Sequence, residues 1–121
     1  MKINKAGLWG EVFAARYLRE QGYEIIAGNY RCRFGEIDII ARKDGIVGFV
    51  EVKTRQEDPL YRPMEAVHEA KQKRLILAAQ QYFREVGGES PSRFDVIEVT
   101  LGENDRLIGI NHIKDAFASL D

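Results

Sequence analysis

The sequence is poor in the features that would mark many functional classes. A single cysteine, Cys32, in 121 residues rules out an intrachain disulfide framework and fits a reducing compartment. No stretch approaches the roughly 20 apolar residues of a membrane span, and residues 1–5 lack the apolar run of a signal peptide. The expectation is therefore a cytoplasmic protein. No Gly-x4-Gly-Lys-Ser/Thr occurs, which argues against intrinsic NTPase activity. The two histidines, His68 and His112, lie far apart without metal-ligand spacing, so a zinc site is not expected. A strong excess of one charge is also missing. A net charge of −1 and a pI near 6.1 do not describe a generic nucleic-acid coat, which would be basic.

What remains is ordinary globular material, 45% hydrophobic and 31% charged, read as one domain over residues 1–121 with no linker or repeat. Leu8, Val12, Ala15 and Leu18 recur at helical spacing, and Gln21-Gly22 supplies a stop. Strands are expected over 23–29, 36–41 and 46–53, the last two joined by Arg42-Lys43-Asp44-Gly45, a strong hairpin signal. Residues 56–63 are polar, carry two prolines and read as a loop. A long helix follows, from Glu65 or His68 to Val86, with Leu75, Ala79, Tyr82 and Val86 inward and Gly87-Gly88 at its end. Strands over 93–101 and 107–113 flank a turn at 103–106, and the tail from Lys114 reads as a short helix. The order α-β-β-β-α-β-β is an α/β domain whose strand–helix–strand crossover implies a mixed five-stranded sheet flanked by helices.

The hairpin brings chemistry together. With Asp44-Gly45 as a two-residue type I′ turn, Ile39 faces Val50 and Ile37 faces Val52 on one apolar side. On the other, Ile40 meets Phe49, Asp38 lies opposite Glu51, and Glu36 lies opposite Lys53. Two carboxylates directly opposite on a sheet repel. A divalent cation offsets this, because Mg²⁺ takes oxygen ligands from one or two carboxylates. Lys53, two residues after Glu51, projects from the same face. A metal, two carboxylates and an ammonium suit phosphodiester hydrolysis. The same residues also read as a structural salt-bridge cluster. Glu11 falls on or beside the apolar stripe of the first helix, where a carboxylate is costly unless paired or metal-bound. Its plainer reading is a boundary glutamate with its head in solvent.

Gly35-Glu36-Ile37-Asp38 followed by Phe49-Val50-Glu51-Val52-Lys53-Thr54-Arg55 resembles the core of the PD-(D/E)XK nuclease superfamily, an Asp on one strand and Glu-x-Lys on the next. Gly10-Glu11 with residues 14–18, Gly28-Asn29-Tyr30-Arg31, residues 63–71 and Arg93-Phe94-Asp95-Val96 resemble the bacterial YraN family, which is similar in layout to archaeal Holliday junction resolvases. The resemblance covers nearly the whole chain and implies a restriction-endonuclease-like fold. It implies Asp38 and Glu51 as ligands of Mg²⁺ or Mn²⁺, and Lys53 as the residue that orients the attacking water or stabilises the transition state. Glu11 is implied as an accessory acid at the metal. In this sequence Ile37 stands where the superfamily name has proline. The implied activity is a metal-dependent endonuclease acting on DNA, including branched or recombination intermediates. A catalytically silent nucleic-acid- or protein-binding module of the same fold is the alternative, as is a subunit active only with a partner.

Between Arg31 and Arg74 there are ten Lys/Arg and eight Asp/Glu. Arg31, Arg55, Lys71 and Lys73 are the candidate nucleic-acid contacts, with Arg33, Thr54 and Arg74 beside them. Clustered charge on a helix also reads as a solvated face. Gln72 is a candidate for the site edge or a surface glutamine. Asp95 reads as a sheet-edge acid paired with Arg93, outside the site. Cys32, with no histidine in motif range, reads as structural, and Trp9 and the Tyr82-Phe83 pair read as core. A chain this short has little room for a dedicated DNA-reading region, which leaves room for a homodimer or a larger DNA-processing assembly.

Overall fold

The computed structural model describes residues 5–57 and 67–117. Their order is α1 (Lys5–Glu20), β1 (Glu24–Cys32), β2 (Gly35–Lys43), β3 (Ile46–Gln56), α2 (Glu69–Val86), β4 (Ser92–Leu101), a 3-10 turn (Glu103–Asp105) and β5 (Leu107–Phe117). One mixed sheet runs β1-β2-β3-β4-β5, with β3 and β4 parallel and every other neighbour antiparallel. The α/β class and the α-β-β-β-α-β-β order are those expected from the sequence. The alternative helix start at Glu65, and most of the expected loop over 56–63, lie outside the described residues; β3 itself runs through Gln56. The tail is not helical from Lys114: β5 continues to Phe117 against β4, so ladder pairing wins over local propensity there.

Glycine punctuates both helices. Gly22 (φ 92) follows α1, and Tyr23 N–H donates back to Leu18 O at 2.9 Å. Gly87 (φ 86) follows α2, and Gly88 N–H donates to Phe83 O at 3.0 Å. A side chain at these left-handed positions would strain the stop.

The two helices cover opposite faces. On one, Leu75, Ile76, Ala78, Ala79 and Phe83 of α2 pack on Ile37, Ile40, Phe49, Phe94 and Val96. On the other, Ala14 and Leu18 of α1 pack on Ile39, Ala41, Val50, Ile97 and Val99. Two details depart from the periodicity. Leu8 (54% exposed) and Val12 (40%) face solvent, and α1 instead turns Gly10, Ala14 and Leu18 inward. The reason is close approach: a Cβ on Gly10 would lie 1.8 Å from Thr54 Oγ1, so the smallest residue sets the contact face. Trp9, expected in the core, is 43% exposed and stacks on Phe13. On α2, Val86 is exposed and Phe83 takes the inward place, with Tyr82 packed partly against the same core. Cys32, half-buried, packs against the same core.

A buried polar hub ties α1 to β4 and β5. Asp95 is 1% exposed and receives Arg93 Nε on both carboxylate oxygens (2.9 and 3.1 Å). It also receives the Asp115 backbone N–H (3.0 Å) and pairs with His112 Nε2 (2.8 Å). Tyr17 OH meets His112 Nδ1 at 3.1 Å, and Arg93 Nη2 donates to Tyr23 OH. Burial would raise the Asp95 pKa, but the hydrogen bonds from His112, Arg93 and Asp115 and the guanidinium charge hold it below its ordinary value. The Arg93 partner was legible in sequence; the edge position was not, because β5 covers β4.

Candidate metal and phosphodiester site

The β2–β3 hairpin has the expected register. Asp44 (φ 53) and Gly45 (φ 77) both take left-handed backbone, and pairs run from Lys43↔Ile46 to Ile39↔Val50. There the ladder stops. Beyond it β2 pairs with β1 and β3 with β4, so the strands fork. Asp38 and Glu51 therefore sit at the fork, not in the continuous ladder that the sequence suggests, and Glu36 and Lys53 are not paired across it. Alternating hydrogen-bonded pairs would have linked Ile37 and Val52 next. Instead Val52 N–H donates to Asp38 Oδ2 at 2.8 Å, and a side chain satisfies the backbone group that the fork releases.

The fork also changes which side residues face. Ile37 and Ile39, expected on one side, lie on opposite faces, Ile37 under α2 and Ile39 under α1. Strand β1, whose register shift lies earlier, between Ile25 and Ala27, keeps its register with β2 through this level, where Gly28 pairs with Ile39 and Tyr30 with Ile37. Asn29 between them has φ 52, a conformation Asn tolerates better than most residues.

Three carboxylates converge here. Oxygens of Glu11, Glu36 and Asp38 all lie within 4.8 Å of one another. With its amide nitrogen turned toward them, Asn29 donates to Glu36 Oε1 (2.9 Å) and Glu11 Oε1 (3.2 Å). Burial first, then the charge of Glu51, pushes the Asp38 pKa up to about 7; Glu11 and Glu36 add to this, against the lowering effect of the Val52 N–H. Glu51 is 6% exposed, and Lys71 Nζ of α2 donates to its Oε1 at 2.5 Å. A cavity of about 340 Å³ opens beside them, lined by Glu36, Asp38, Glu51, Lys71 and Arg74 among others.

Of the residues expected at the site, Glu11 and Asp38 thus meet directly. Glu51 adjoins Asp38 but is held by Lys71. Lys53 shares the Glu51 face by strand alternation, with no place in the cavity wall. Glu36 joins the acid cluster, a role that its place two residues before Asp38 could have signalled. Lys71 reaches the acids, whereas Lys73 is exposed and pairs with Glu69 at 3.6 Å. Gln72 donates to Val67 O at the start of α2 and does not line the cavity. Arg31 is exposed and pairs with Glu36 at 3.4 Å. Arg55 donates to Thr100 Oγ1 at 3.4 Å.

The donor set fits a hard divalent cation, since all three converging groups are carboxylates, the oxygen ligands that Mg²⁺ and Mn²⁺ prefer. It would also relieve the repulsion at Asp38.

The model described as "Uncharacterised protein family UPF0102" matches residues 10–99, a span that contains every residue of this cluster. A UPF0102 protein of Clostridium perfringens is 42% identical over 118 residues, covering 96% of this chain and 97% of its own. One of Lachnoclostridium phytofermentans is 47% identical over 115 residues (93% and 95%), and one of Symbiobacterium thermophilum is 49% identical over 104 (85% and 88%).

Proposed function

The chain belongs to the uncharacterised protein family UPF0102, and from its acid cluster we propose that it is a metal-dependent nuclease that hydrolyses phosphodiester bonds of DNA, including branched or recombination intermediates. The observation that carries this reading is the convergence of Glu11, Glu36 and Asp38 at a strand fork. Carboxylates held together at this cost to Asp38 lack enough positive charge of their own. Glu11, Glu36 and Asp38 would hold Mg²⁺ or Mn²⁺, with Glu51 next to them. Bound there, the cation would supply Lewis acidity toward the phosphodiester and its water. Lys53, on the Glu51 face beside the cavity, would orient the attacking water or stabilise the negative charge that develops on the phosphoryl oxygens. Water adds to phosphorus, the bond to the leaving oxygen breaks, and that oxygen takes up a proton.

No helix among the described residues is long and apolar enough to cross a membrane. Arg31, Arg55, Lys71 and Lys73 are assigned to the nucleic-acid backbone, and a homodimer or a larger DNA-processing assembly would extend that contact.

The test is purified protein with Mg²⁺ or Mn²⁺ on labelled duplex, single-stranded and four-way-junction DNA and on RNA, beside Asp38→Ala, Glu51→Ala and Lys53→Ala. Cleavage by wild type alone is the expected result. Folded variants as active as wild type would sink the assignment. Metal-independent, salt-sensitive binding without cleavage would instead establish a silent binding module.

A further inference from the structure

We propose that Lys71 is an exchangeable counter-ion: its ammonium holds Glu51 in the metal-free protein and passes to the substrate phosphate once a divalent cation enters the acid cluster. This rests on the nuclease reading and gives it a moving part. A buried carboxylate is costly unless a cation compensates it. Glu51 is 6% exposed, and Lys71 Nζ on Oε1 supplies that compensation.

The two buried acids among the described residues are held differently. Asp95 is 1% exposed; it accepts Arg93 Nε on both oxygens and also meets His112 and the Asp115 N–H, four contacts that hold it from several sides. Glu51 meets one point charge on a long flexible stem, and the Lys71 side chain is 37% exposed on the wall of an open cavity. The first arrangement is locked; the second is free to exchange. A dication beside Asp38 would repel the ammonium and take over its work at Glu51. Arg74, three residues on along the same helix, lines the same cavity. A released Lys71 would therefore stay in a positive strip facing the acids, where an anionic phosphodiester must lie.

The experiment is acetylation of lysine amines in the full-length protein by an N-hydroxysuccinimide ester, read residue by residue by mass spectrometry, with and without Mg²⁺. Mg²⁺ binding is followed in parallel by calorimetry. Lys71 labelling is expected to rise several-fold on Mg²⁺ addition while exposed Lys73 stays constant. Glu51→Gln should produce the same rise without Mg²⁺. Lys71→Met should bind Mg²⁺ several-fold more tightly, as removal of a competitor requires. Calorimetric Mg²⁺ binding with unchanged Lys71 labelling would overturn the exchange and leave the nuclease reading standing. A flat calorimetric trace for both wild type and Lys71→Met would remove the metal site and the exchange together.

Discussion

Asp38 Oδ2 accepts the Val52 backbone N–H at 2.8 Å, one step beyond the last hairpin pair, Ile39↔Val50. The bond anchors Asp38 at the fork while its carboxylate charge is opposed by Glu51, Glu11 and Glu36. Asn at this position keeps an acceptor oxygen and removes the charge. Asp38→Asn should therefore raise the melting temperature of the metal-free protein by roughly 5 °C at pH 8 and abolish the response to Mg²⁺. Thermal melts with and without the ion check both.

The same carboxyl makes stability depend on pH. Its folded pKa is about 7 against an ordinary 3.8, so between those values the folded state holds more protons than the unfolded one. Its contribution to stability therefore falls as pH rises through that window, and the penalty is complete above pH 7. Metal-free wild type, measured relative to Asp38→Asn, should lose stability from pH 5 to pH 8. Mg²⁺ should raise the melting temperature more at pH 8 than at pH 6, because it binds the ionised form. A pH-independent difference between the two proteins would contradict the assigned cause.

Glu36 adds an oxygen to the acid cluster. Glu36→Gln should weaken Mg²⁺ or Mn²⁺ binding by about tenfold, or about 1.4 kcal/mol, with little change in metal-free stability. Calorimetric titration measures it, with Glu69→Gln as a control on an exposed acid of α2.

Gly10 sets the distance of α1 from β3, and Glu11 is the next residue. Gly10→Ala would drive a methyl into Thr54 Oγ1. It should cost about 1–3 kcal/mol and weaken metal binding by moving Glu11. Adding Thr54→Ala removes the hydroxyl but leaves Cβ 2.9 Å away, so it should recover part of both losses. No recovery in the double variant would place the effect elsewhere.

The Asp95 hub predicts the opposite separation. Asp95→Ala leaves Arg93 and His112 without their shared buried partner. It should cost about 3–5 kcal/mol in denaturant unfolding. Metal affinity measured on the folded fraction should be unchanged, because the hub lies outside the acid cavity.

Local rules alone determined a good deal of this protein. Asp44-Gly45 dictates the hairpin register, since both residues tolerate the positive φ of a type I′ turn. Gly22 and Gly87 end the helices, and apolar periodicity made the α-β-β-β-α-β-β order readable. Asp38 was legible as a site candidate from its place opposite Glu51 in the hairpin, and Glu11 from its place beside the apolar stripe of α1, where a carboxylate needs a partner. The tertiary structure decided the rest. Whether the β2–β3 ladder continues past Ile39↔Val50 depends on how the two strands diverge in the packed sheet, β2 staying with β1 and β3 with β4, which no local pattern encodes. Which stripe of α1 turns inward depended on the close approach of Gly10 to Thr54. Lys71 reaches Glu51, and His112 reaches Asp95, across long sequence separations; packing brings those partners together and burial makes the pairing necessary.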